Sequence, residues 1–170
     1  AGNKVLTCGN GGSASDAMHI VGELCKSFER RRPLRADLAI RLQDLPMGME
    51  LARHLEMGLP AITLGLNDAL RSATENDSPL RNIALAQEVH ALGKPGDVLV
   101  AISTSGNAQN CLMAMSIAKA VGIKTVSLTG PHGGQMAPLA DVAIKAPGAT
   151  TPIVQEAHVV LYHTFCAMIE

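Results

Sequence analysis

Five short apolar runs divide the chain: Lys4–Cys8 (KVLTC), Ala61–Leu66 (AITLGL), Val98–Ile102 (VLVAI), Ile123–Leu128 (IKTVSL) and Asp141–Ala146 (DVAIKA). Each is five or six residues long, and the β-branched residues Val, Ile and Thr recur in all of them. Runs of this length and content predict buried strands rather than helices. Between them, apolar positions recur at three- and four-residue spacing. That pattern predicts a first helix capped by Ser13 or Ser15 and running to about Phe28. Further helices are predicted over Asp44–Met57, Pro79–Leu92, Ala108–Val121 and Pro152–Ile169. Strands and helices alternating at this spacing make βαβ units. The expected fold is α/β, a three-layer α/β/α sandwich around a five-stranded parallel sheet, and residues 1–170 are expected to form a single domain. Within it, residues 31–59 read as a helical insertion, with Met47, Leu51 and Leu55 spaced four apart. It can serve as a lid or an oligomer contact, or simply pack on the domain as an amphipathic helix.

Composition narrows the function. The 170 residues suffice for a sizeable core, and with only 2% aromatics that core must be aliphatic. A net charge of −1 argues against general attraction to nucleic acid or to an acidic membrane, and the lack of aromatics argues against base stacking. Arg30-Arg31-Arg32 is the local exception and reads as a solvated helix end. No apolar run approaches the ~20 residues of a membrane span, so neither nucleic acid nor membrane is an expected partner. Cys8, Cys25, Cys111 and Cys166 show no CxxC spacing, and three lie in apolar segments. They read as reduced residues of a cytoplasmic protein. A strand begins almost at Ala1, so a segment ahead of residue 1 is expected.

Two turns carry the candidate chemistry. Ser103-Thr104-Ser105-Gly106-Asn107 follows the third strand and precedes a helix. Unpaired helix N–H groups and small hydroxyls there make an anion site, and the turn has no Lys or Arg. A phosphorylated small molecule held by neutral donors is the expected ligand. Gly9-Asn10-Gly11-Gly12-Ser13 follows the first strand and lacks the Lys of a Walker loop and the GxGxxG spacing, so no nucleotide cofactor is expected. Both turns fall at the C-terminal edge of the sheet, where such folds bind ligands.

His19 and Glu23 are four apart on the first helix and share a face. Gln155 and His163 lie eight apart within one broad face of the last helix. If the two helices approach, all four can converge. One carboxylate and two imidazoles suit proton transfer beside a carbonyl, and they equally suit a divalent metal. A plain surface hydrogen bond is the simpler account of His19 and Glu23 alone. His54, His90 and His132 read as surface or structural, and Thr150-Thr151-Pro152 reads as the start of the last helix.

The segments CGNGGSASDAMHIVGEL, ENDSP, ALGKPGDVLVAISTSGN, SLTGPHGGQMAPLADVAIKAP and QEAHVVLYH together resemble the sugar-isomerase (SIS) domain, and within it the phosphoheptose isomerase group. The resemblance spans nearly all of the chain outside residues 31–59. It implies a flavodoxin-like fold and conversion of sedoheptulose 7-phosphate to D-glycero-D-manno-heptose 7-phosphate through an enediol(ate). It also implies a homotetramer with active sites between subunits. By match to the family motifs, Ser13, Ser103, Thr104, Ser105 and Asn107 would bind phosphate. Asn10, Gly11, Gly12, Asp77 and Gln155 would lie near the sugar, and Glu23 and His163 would be the acid/base pair. Some members bind zinc through residues matching His19, Glu23, Gln155 and His163, which implies one zinc ion per subunit. Ala108 stands where the family often has Ser, and most members carry helices ahead of the first strand. The competing expectation is a non-catalytic SIS protein, a sugar-phosphate sensor or an adaptor.

Overall fold

The computed structural model describes residues 2–170. Its elements are β1 (Val5–Cys8), α1 (Gly12–Cys25), α2 (Ala36–Leu42), α3 (Gly48–His54), β2 (Ala61–Thr63), α4 (Asp68–Asp77) and α5 (Ala84–Leu92). They continue with β3 (Val98–Ser103), α6 (Gln109–Ala120), β4 (Lys124–Thr129), α7 (Met136–Leu139), β5 (Val142–Lys145) and α8 (Thr151–Ile169). The five strands are all parallel in the order β2-β1-β3-β4-β5.

The two-residue period of β3 explains the layers. Leu99 and Ala101 point into one core with Leu85 and Val89 of α5 and Cys111, Ala114, Met115 and Ala118 of α6. Val100 and Ile102 point into the other, with Ala17, Ile20 and Leu24 of α1, Leu128 of β4, and Tyr162 and Cys166 of α8. Both faces of the central strand are therefore dry, which is why it reads as an unbroken apolar run. Met115 is fully buried, and truncating a side chain so placed typically costs about 2–5 kcal/mol.

Several element boundaries differ from expectation. Gly11, at φ 55°, turns the chain straight into α1, so Ser13 and Ser15 lie inside the helix and neither caps it. The expected helix over Asp44–Met57 is helical only at Gly48–His54, and a short helix, α2, lies ahead of it. Residues 43–47 join α2 to α3, and Met47 at the N-cap of α3 takes a left-handed φ of 61°. Pro79–Leu92 is helical only from Ala84. Helix α4 was not expected. It has no buried residue, so it leaves no apolar stripe in the sequence; it is capped by Asn67, whose side chain accepts from Leu70 N–H at 3.0 Å.

The α2–α3 hairpin is joined to the domain at its neck. Residues Phe28, Glu29 and Arg30 each donate a backbone N–H to the Glu170 carboxylate at 2.7 Å. Arg32 adds an ion pair with Glu170 at 3.1 Å. Arg32 is buried and sits in a loop, so the arginine run is not a solvated helix end: only Arg30 and Arg31 face solvent. Beyond the neck, Ile40, Leu45, Met47, Met49, Leu51 and Leu55 are exposed. Cys8, Cys111 and Cys166 are buried and Cys25 is exposed, all four as free thiols. No helix among the described residues is long and apolar enough to cross a membrane.

Candidate active site

The C-terminal ends of β3 and β4 open into a cavity of about 210 Å³ lined by Thr104, Ser105, His132, Thr150, Thr151 and Val154, with Pro131 and Gly148–Thr150 closing its rim. No Lys or Arg lines it. The cavity exists because two loops pass back to back. Gly106 and Gly134, both at positive φ, approach so closely that a Cβ on either would lie 2.5 Å or less from backbone of the other loop. Asn107 secures this contact. Its side chain accepts from Gln135 N–H at 3.1 Å and donates to the Ser105 carbonyl at 3.1 Å. Its amide is thus committed to the loop, whereas the hydroxyls of Thr104, Ser105, Thr150 and Thr151 border open space. Ser103 is buried just beneath, with its hydroxyl 3.4 Å from that of Ser105.

Thr150 occupies the N-cap position of α8 but makes no capping bond. Pro152 follows in the first turn and lacks an N–H, Thr151 beside it lines the cavity, and the Val154 N–H donates to the Thr150 carbonyl at 3.0 Å. The start of α8 thus lines the cavity, and no residue of α6 does. His132, expected to be surface or structural, is exposed but lines the same cavity.

The first turn lies on the other side of α8. Gly12 abuts Gln155 so tightly that a Cβ there would be 2.2 Å from Nε2. Ser13 is buried behind it. Asn10 forms a reciprocal amide pair with Asn110 of α6, at 2.9 and 2.8 Å, which ties the two ligand-edge loops together. Asp77 ends α4, exposed, with its carboxylate accepting from Asn76 at 2.8 Å, and it lines neither this cavity nor the α1–α8 seam.

Helices α1 and α8 run parallel in a seven-residue register. Gly12 meets Gln155, Asp16 meets His158 (3.9 Å), and His19 meets Tyr162 (2.8 Å). Glu23 follows one turn after His19. Its Oε1 is 3.2 Å from His19 Nε2, and its Oε2 accepts from Lys26 Nζ at 2.5 Å. The Lys26 hydrogen bond, helped by Lys26 charge and by His19, outweighs burial and holds the carboxyl below its ordinary range. Glu23 is thus ionised at neutral pH, as a base must be. His163 stands edge-on to His19, with ring centroids 5.0 Å apart at 87°, and is also in contact with Phe28 at 5.3 Å. Its Nε2 is buried with no hydrogen-bond partner among the described residues, an unsatisfied polar atom at the end of the seam.

The structure therefore brings His19, Glu23 and His163 together and leaves Gln155 apart. Eight residues of helix place Gln155 about 12 Å along α8 from His163. Zinc–ligand bonds of about 2 Å would require ligand atoms within about 4 Å of one another. Among the described residues no group of three or more His, Cys, Asp or Glu side chains is arranged to hold a metal ion. The four residues do not fit one ion within a single chain, and no step below is routed through one.

Asp16, His158 and Tyr162 were not anticipated. His158 is fully buried, donor-acceptor bonded to the Thr129 carbonyl at 3.2 Å, and burial pushes its pKa down. Burial likewise raises the carboxyl of Asp16 and pushes the Tyr162 phenol up to about 12. The signal for all three was the spacing Gly12–Asp16–His19 against Gln155–His158–Tyr162, which is that of two helices in register.

Comparison with known proteins gives a consistent picture. The family model described as the SIS domain matches residues 46–130. A phosphoheptose isomerase of Crocosphaera subtropica is 38% identical over 170 residues, covering 100% of this chain and 74% of the relative. One from Helicobacter pylori strain P12 is 40% identical over 167 residues, covering 98% and 74%. Among solved structures, a phosphoheptose isomerase from Neisseria gonorrhoeae superposes with a TM-score of 0.76 at 33% identity, covering 98% of this chain and 76% of that one.

Proposed function

Since the chain belongs to the SIS-domain family of phosphoheptose isomerases, we propose that it interconverts sedoheptulose 7-phosphate and D-glycero-D-manno-heptose 7-phosphate. The observation that carries the reading is the course of α8. It begins at the hydroxyl-lined cavity and runs on to His163, beside Glu23 and His19, about 18 Å further along its axis. An extended seven-carbon sugar phosphate spans about 10 Å from C1 to phosphorus, on carbon–carbon bonds of about 1.5 Å. With its phosphate in the cavity, the sugar extends along α8 with its carbonyl end toward the acid/base pair.

In this reading the Thr104, Ser105, Thr150 and Thr151 hydroxyls and the α8 N–H groups bind phosphate. The Glu23 carboxylate takes a proton from C1 of the ketose, the C1–C2 enediolate forms, and a proton returns to C2 to give the aldose. His163, the other half of the pair, exchanges protons with the C1 and C2 oxygens. Anchoring the phosphate keeps the reacting carbons at Glu23. Exposed Met18, Ile153, Val160 and Met168 on the outer sides of α1 and α8 support the homotetramer that the family resemblance implies. The four free thiols suit the cytoplasm.

The test is incubation with sedoheptulose 7-phosphate in D2O, following aldose phosphate and deuterium at C2 by NMR. Conversion is expected, and Glu23→Gln should abolish it while phosphate binding persists. Saturable binding without conversion in the wild type would instead identify a sugar-phosphate sensor.

A further inference from the structure

We infer that His132 is a phosphate-binding residue of the candidate site, the one group by which the hydroxyl-lined cavity offers a sugar phosphate a positive charge. Among the described residues, every other polar side chain lining that cavity is a hydroxyl, and His132 alone can change charge. A phosphate ester carries close to two negative charges at neutral pH, and neutral donors alone must replace the water that it gives up. Imidazole is the side chain that ordinarily gains a proton between pH 8 and pH 5, and the gain adds a charge-assisted hydrogen bond to the anion. The backbone presents His132 rigidly. Gly133 N–H donates to the Gly130 carbonyl at 3.1 Å, so Gly130-Pro131-His132-Gly133 is a β-turn. Pro131 fixes φ at its second position, and His132 at the third has no positive φ, which makes the turn type I. Both flanks of the turn are fastened to the loop that carries Thr104 and Ser105. Gly130 N–H donates to the Thr104 carbonyl at 2.9 Å on one side, and Met136 N–H donates to the Gly106 carbonyl at 2.9 Å on the other. His132 therefore shares one frame with the Thr104 and Ser105 hydroxyls. The elements packed against the turn bring three other titratable groups. Lys145 of β5 lies against Gly133, where an added Cβ would be 3.4 Å from Nζ. His158 of α8 is buried beneath, on the Thr129 carbonyl, and Glu156 of α8 is exposed. None of the three lines the cavity.

This inference rests on the isomerase reading for the identity of the anion, and its test separates the two. The probe is sulfate, which stays a dianion from pH 5.5 to pH 8.5, so a change in its affinity across that range belongs to the protein. The wild type should bind sulfate about fivefold more tightly at pH 5.5 than at pH 8.5, the upper end for a solvent-exposed ion pair. His132→Gln keeps a hydrogen-bond donor without the charge. Its sulfate affinity should be nearly level across the range and should match the wild type at pH 8.5. His132 is exposed at a turn, so the substitution leaves the core intact, and His132→Asn is a second variant for the same readouts. Sulfate should also shift the His132 ring signals in 15N-labelled wild type at pH 5.5, those signals being identified by their loss in either variant. With sedoheptulose 7-phosphate at pH 6, His132→Gln should raise KM severalfold and leave kcat nearly unchanged, because His132 holds the phosphate and touches no reacting carbon. A variant that keeps the wild-type pH dependence, or His132 ring signals indifferent to sulfate, would overturn the assignment. A wild type that isomerises no sugar phosphate would refute the functional reading, and the sulfate titrations, which need no turnover, would still decide the role of His132.

Discussion

Replacing Gly12 by Ala should separate stability from substrate binding. The new Cβ would lie 2.2 Å from Gln155 Nε2, 2.8 Å from its Cδ and 3.0 Å from its Oε1. Ordinary contact is about 3.5–4.0 Å, so the amide must retreat by more than about 1 Å. Everything it meets is the far end of one flexible side chain, and Gly12 has no positive φ, so the backbone is not asked to move. Ala in a helix is better than Gly by up to about 1 kcal/mol. For a domain of this size that raises Tm by about 2–4 °C at most. Function should move the other way. Gln155 stands between the starts of α1 and α8, and displacing it removes about one hydrogen bond to the sugar, worth roughly 1 kcal/mol. The expected result is KM raised about fivefold with kcat nearly unchanged. Thermal unfolding and a ketose-phosphate titration of the same sample measure both. A fall in Tm of more than about 5 °C would mean that Gln155 cannot retreat. A higher Tm with unchanged KM would mean that Gln155 does not touch the sugar.

Gly106→Ala should behave oppositely, because its Cβ would meet Gly133 carbonyl oxygen at 2.2 Å from a φ of +68°. Backbone cannot swing aside, so a loss of at least about 2 kcal/mol is expected in denaturant unfolding, and a variant as stable as the wild type would contradict the close approach. Asp97 is fully buried; burial raises its carboxyl, but bonds from Lys4 Nζ (2.6 Å), Lys4 N–H and Lys94 N–H outweigh this and hold it below its ordinary range. Asp97→Ala should therefore cost about 3 kcal/mol, read by the urea midpoint. Glu170 is lowered by the Phe28 N–H first, and Asp141 by the Thr125 N–H first. A carboxyl lowered on folding stabilises above its unfolded value of about 4 and loses that contribution as pH falls through the folded value. Tm should thus drop between pH 5 and pH 3, and a flat profile across that window would refute the assignment.

The sheet was legible because parallel strands covered on both sides must be apolar throughout, as Val98–Ile102 is. The edge strands β2 and β5 came out shorter than their apolar runs, since the pairing that ends a strand lies in its neighbour. Helix α4 was invisible because a surface helix without buried residues has no period to read, although Asn67 was a usable start signal. At the site, Glu23 and His163 could be named from the chain alone. That Gln155 stays with Gly12, two turns away, could not: eight residues share a broad face in projection, but axial rise separates them. The seam of Asp16, His158 and Tyr162 needed two helices to be set in register, which is a tertiary fact.

The Glu170 carboxylate that gathers the neck has a consequence for the order in which the molecule is made. It organises backbone that precedes it by 140 to 142 residues. At synthesis rates of about 5–20 residues per second, the neck waits on the order of ten seconds for the residue that closes it. Through that interval the methionines and leucines of the α2–α3 hairpin are already outside the ribosome with no anchored base beneath them. The last turn of α8 is therefore the clasp of the fold, and a chain stopped a few residues early would carry a complete sheet and an unfastened hairpin.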